Sequence, residues 1–89
     1  MPRVRYSERF INDVSAIYSE KVLSELDGVL ATIEEFPEIG SEQVRESLVR
    51  QFGGGLRKFP VSSFVIVYRY QPGNDEIDFI ALPYGPSVP

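Results

Sequence analysis

The residues able to do chemistry are few and lie close together. Arg57 and Lys58 follow a glycine run, Gly53–Gly55, after one leucine, and Arg69 lies on the apolar stretch "FVIVYRY" that comes next. Tyr84 stands near the end of the chain. Clustered cations beside a tyrosine can hold a scissile phosphate through charge-assisted hydrogen bonds and steady the charge that develops on it. The same cations can pair with the acids of a binding partner instead. The chain has no histidine and no cysteine. That removes the commonest general base near neutral pH, the commonest metal ligand, and any disulfide or thiolate site. Neither a metal site nor a cofactor is expected.

The glycines do not make a phosphate loop. Such a loop follows a strand, opens a helix and ends in Gly-Lys followed by Ser or Thr. Here the glycines precede a strand, and Phe59 follows Lys58. Their simplest use is conformational freedom before a sheet. Arg69 has a plain structural reading too, a salt bridge across a hairpin to Asp75, Glu76 or Asp78, worth little energetically. Glu34 and Glu35 read as solvated acids on the polar side of a helix.

Charge is unevenly spread along the chain. The net charge of −4 argues against generic nucleic-acid binding. Residues 1–42 and 72–89 are acidic, whereas residues 43–71 carry only Glu46 against Arg45, Arg50, Arg57, Lys58 and Arg69. A basic centre between acidic flanks is either a local anion site or ordinary solvated charge.

These residues need a scaffold, and 89 residues make one small domain, 1–89. "RVRY" alternates like a short first strand. Ser7 is placed to cap a helix whose face holds Phe10, Ile11, Val14, Ile17 and Tyr18. Ser19 is placed to cap a second, with Val22, Leu23, Leu26, Val29, Leu30 and Ile33, ending near Phe36 because of Pro37. Gly28 weakens that helix or permits close packing. The two helices should form an antiparallel hairpin over a shared core; a stripe of this kind can also be a partner groove. "SEQVRESLVRQF" reads as a short helix or ordered loop. "LRKFPV", "FVIVYRY" and "EIDFIAL" read as antiparallel strands, with Phe64, Ile66, Tyr68 and Tyr70 on one face of the central strand. Ile77, Phe79 and Ala81 should share one face of the last. The tail "PYGPSVP" should be irregular. The fold class is α+β: an N-terminal strand, an antiparallel helical hairpin, then a C-terminal antiparallel sheet. The charged N-terminus is unlike a signal peptide and no apolar run spans a membrane, so a cytoplasmic protein is expected.

The run "FPEIG" followed by "LRKFPVSSFVIVYRY" and "EIDFIALPYG" resembles the ParE branch of the RelE/ParE toxin superfamily over nearly the whole chain. The resemblance implies the toxin of a bacterial type II toxin–antitoxin pair, hetero-oligomeric with a cognate antitoxin that neutralises it. ParE-like members poison DNA gyrase by binding, as plasmid-stabilisation toxins. RelE-like members are endoribonucleases that cut mRNA on the ribosome with several Lys and Arg residues and a C-terminal Tyr or His. By position, Lys58 falls near one catalytic lysine and Tyr84 near the C-terminal aromatic position. Val65 stands where the central-strand arginine belongs, and nothing after Arg69 is basic. The expectation is therefore a non-enzymatic, gyrase-directed toxin whose binding surface includes Arg57, Lys58, Arg69 and Tyr84. The alternatives are a RelE-like ribonuclease using those four residues catalytically, or an inactive relative that only binds its antitoxin.

Overall fold

Two serines start the helices. In the computed structural model, which describes residues 2–87, the Ser7 hydroxyl accepts from Phe10 N at 2.9 Å and the Ser19 hydroxyl accepts from Val22 N at 3.3 Å. Each satisfies an amide that a helix start leaves without a partner. They open α1 (Glu8–Ser15) and α2 (Glu20–Glu35). Helix α2 stops where Pro37 forbids another turn.

Helix α1 is shorter than its apolar spacing predicts. It ends at Ser15, and Ala16 N folds back onto Asp13 O at 3.3 Å. The chain must turn there so that Ser19 can open α2. Ile17 still reaches the core, whereas Tyr18 is 91% exposed and belongs to no helix. Gly28 is not a packing contact, since a Cβ there would meet nothing within 4 Å.

Strands β1 (Arg3–Tyr6), β2 (Leu56–Val61), β3 (Phe64–Gln71) and β4 (Glu76–Ala81) form one sheet in the order β1-β4-β3-β2, and α3 (Glu46–Phe52) precedes β2. The three late strands are antiparallel, as their short connections require. Strand β1 adds to β4 in parallel, so the sheet is mixed. The two faces bury different clusters. On one, Ile66, Tyr68, Ile77 and Phe79 meet Phe10, Leu26 and Ile33 from α1 and α2. On the other, Leu56, Val67 and Ala81 meet Leu48 of α3. Ala81 is thus on the opposite face from Ile77 and Phe79. The register shifts between Val67 and Tyr68, which pair with Ala81 and Phe79, leaving Ile80 as the extra residue of a bulge.

The two sheet edges are unlike. On β2, Lys58 exchanges both backbone bonds with Ser41 at 2.9 Å, and the next outward position is Pro60, which has no N–H. That edge is closed. On β1, Arg3 N and Ser7 N bond inward to Asp75 O and Phe79 O, so the alternate residues Val4 and Tyr6 turn their backbone groups away from the sheet. No described strand lies beyond them. The tail is partly ordered: Tyr84 bridges Phe64, and Gly85–Ser87 form a 3-10 turn. Val88 and Pro89, which the irregular-tail expectation included, lie outside the described residues.

Candidate functional site

Alternation along β2 and β3 decides which cations can meet. Arg57, Phe59 and Val61 share the α1/α2 face with Tyr68, Ile66 and Phe64, whereas Leu56 and Lys58 share the α3 face with Arg69 and Val67. Arg57 is therefore separated from Lys58 and Arg69 by the sheet.

Arg57 and Tyr68 are staples for the loop that follows α2. Arg57 Nη1 donates to Glu38 O at 3.0 Å and to Gly40 O at 2.9 Å, and its Nη2 pairs with Glu42 at 3.2 Å. The Tyr68 hydroxyl donates to Pro37 O at 2.8 Å and accepts from Gly40 N at 2.8 Å. A Cβ on Gly40 would sit 2.5 Å from that hydroxyl, so the glycine of "FPEIG" answers to the first tyrosine of "YRY". Burial raises the Tyr68 pKa above its ordinary value, against the lowering effects of the Gly40 amide and the Arg57 charge.

Arg69 is a helix cap. Its Nη2 donates to Phe52 O at 2.9 Å and its Nε to Gly54 O at 3.0 Å, satisfying carbonyls at and beyond the last turn of α3. The expected pairing with Asp75, Glu76 or Asp78 is absent from the ion pairs of the described residues; Arg5 takes Glu76 and Asp78 instead. Gly53 and Gly55 adopt φ of 91° and 73°, which explains two of the three glycines.

Of the three predicted cations, Lys58 is the one that lines a concavity. It lines a pocket of about 260 Å3 with Arg45, Leu48, Val65 and Gly85. Arg45 escaped prediction as a site residue; the only sequence signal for it was membership of the basic block. The tail reaches this pocket because Val65 N donates to Pro83 O at 3.0 Å and Gly85 N to Ser63 O at 2.7 Å. Tyr84 is half exposed and sets its ring edge-on to Phe64, centroids 5.7 Å apart. The four predicted residues thus occupy separate places: Lys58 shares a pocket with Gly85 of the tail, Tyr84 packs on Phe64, and Arg57 and Arg69 are engaged elsewhere.

A second concavity lies on the helical side. Tyr6, Phe10, Ile11, Val14, Leu26 and Leu30 line an apolar groove of about 390 Å3. Ile11, expected in a closed core, is 56% exposed there. Burial raises the Tyr6 pKa, helped by Glu34 and Asp27. Among the described residues no group of His, Cys, Asp and Glu is disposed to hold a metal ion, and no helix is long and apolar enough to cross a membrane.

Residues 4–85 match the family model described as the ParE toxin of the type II toxin–antitoxin system, parDE. The chain belongs to the ParE toxin family. Solved structures similar to this ParE-family chain include the intact E. coli RelBE toxin–antitoxin complex, at 17% identity over 92% of this chain and 94% of that one, with a TM-score of 0.72. The isolated E. coli RelE toxin matches at 15% identity over 94% and 84%, also at 0.72. The RelBE2 complex of Mycobacterium tuberculosis matches at 14% over 93% and 90%, at 0.57. These likenesses establish a shared RelE-like fold for the ParE-family chain. No curated protein sequence matches it.

Proposed function

We propose that this ParE-family chain is a toxin that acts by binding a protein target such as DNA gyrase, and that a cognate antitoxin neutralises it. The observation that carries the mode of action is the fate of two arginines. Arg57 and Arg69 each commit two guanidinium hydrogen bonds to backbone carbonyls, and Arg57 also pairs with Glu42, so both are held in structural roles rather than turned together toward a phosphate. Val65 supplies no charge to the pocket that holds Lys58. The antitoxin reading is supported by the groove between α1 and α2 and by the open β1 edge beside it. A helix can lay an apolar face in the first, and an extended segment can add to the second.

The RelE-like ribonuclease is the second reading. Lys58 and Arg45 share one pocket with Gly85, next to Tyr84, and the fold matches RelE. Induction without the antitoxin separates the readings when DNA and protein synthesis are followed side by side. The binding toxin predicts that DNA synthesis fails first, with transcripts intact. Early failure of protein synthesis, with cut transcripts abolished by Lys58→Ala or Tyr84→Phe in folded protein, replaces it with the ribonuclease. No effect on either process leaves an inactive relative that only binds its antitoxin.

A further inference from the structure

The loop after α2 carries two large apolar side chains that the fold holds in solvent. Phe36 is 56% exposed and Ile39 is 44% exposed. With Pro37 and Tyr70 they form the apolar floor of an open concavity of about 520 Å3, whose remaining lining residues are Glu35 and Glu38. The exposure is not slackness. Between them these residues have backbone held from inside by Tyr68 at Pro37 O and by Arg57 at Glu38 O, and Ile39 N closes on Phe36 O at 3.0 Å. Gly40 and Ser41 are fixed as well, by Tyr68, Arg57 and the backbone of Lys58. With its backbone pinned inward, the loop presents Phe36 and Ile39 from a fixed main chain, so a partner would spend little ordering that main chain.

We infer that this shelf is a docking face for a protein segment that presents aliphatic or aromatic side chains flanked by lysine or arginine. The charge around the apolar floor selects the occupant. Glu35 and Glu38 line it, Asp75 accepts from the Tyr70 hydroxyl at 3.2 Å, and among the described residues no basic side chain is part of the lining, the nearby Arg57 being bound to Glu38 O and paired with Glu42. Phosphates of a nucleic acid and an anionic membrane surface are repelled by such a rim. A symmetric second copy would set the same carboxylates against one another. A basic, apolar segment gains both the desolvation of Phe36 and Ile39 and a complementary field. The shelf lies apart from the α1/α2 groove, shares no lining residue with it, and does not depend on the toxin reading.

The test is selection from a random peptide library displayed on phage, using the whole chain as bait and counter-selecting against Phe36→Ser/Ile39→Ser. Both positions are exposed, so the variant should keep the parent's unfolding midpoint. Recovered peptides should carry Lys or Arg around an aliphatic or aromatic residue. They should lose at least about tenfold in affinity on the double variant, as expected for truncated anchor residues. Glu35→Gln/Glu38→Gln, which keeps the floor, should slow association and flatten its salt dependence. It also provides the second readout should the serine variant fold poorly. Failure to enrich any peptide, enrichment of neutral or acidic ones, or peptides bound equally by the folded variants overturns the proposal.

Discussion

At the scale of single residues, the motif side chains act mainly on the backbone. Tyr68 is fully buried, and its hydroxyl serves one acceptor and one donor of the loop after α2. Tyr68→Phe leaves Pro37 O and Gly40 N without that partner and should cost about 1–3 kcal/mol, read as a lower midpoint in denaturant unfolding. The same residue sets an alkaline limit. Its folded pKa lies above the unfolded value of 10.0, so the folded state keeps the proton longer. Its contribution to stability is complete below the unfolded pKa and is lost as pH rises through the folded one. Stability should fall above about pH 10, and less steeply in Tyr68→Phe than in the parent; identical slopes would remove Tyr68 as a cause. That Arg57 and Lys58 part to opposite faces was legible from strand alternation. What Arg57 reaches was not, because the carbonyls of Glu38 and Gly40 come from a loop whose path no local pattern specifies.

At the scale of elements, caps were readable, and so was alternation except where the β4 bulge turns Ala81 to the other face, whereas encounters between elements were not. Ser7, Ser19 and Pro37 mark helix ends by local chemistry, and they do so correctly. Arg69 looked like half of a cross-hairpin ion pair because sequence shows only its neighbours along β3 and β4. The end of α3 comes to lie against that face through tertiary packing, and the guanidinium caps it. Arg69→Ala should cost about 1–3 kcal/mol and speed hydrogen exchange at Gly53, whose amide bonds Val49 O at 2.7 Å; unchanged exchange would show that the cap is dispensable. Pro60 does its work at the β2 edge by what it lacks. Pro60→Thr restores an outward N–H and should give concentration-dependent association, visible by light scattering, where the parent stays dispersed.

At the scale of the whole molecule, the helical layer shields one sheet face yet leaves a furrow. The apolar spacing of α1 was read as core, and Phe10 obeys while Ile11 does not. A short helix that ends at Ser15 has too few turns to close over α2. Ile11→Asp should leave the unfolding midpoint nearly unchanged, since the side chain is largely in water already. It should also weaken capture of a cognate antitoxin by more than about tenfold if that partner fills the groove. The placement of β1 has a consequence in time. Arg5 and its partner Glu76 are 71 residues apart. At synthesis rates of about 5–20 residues per second, roughly 4–14 s pass between their appearances. Through that interval the first strand is already made but has no sheet to join. The sheet order makes β1 depend on β4, so the newborn chain passes through a vulnerable age in which its earliest strand is open to any passing edge. A partner already present in the cell could claim that strand before the chain has finished folding on itself.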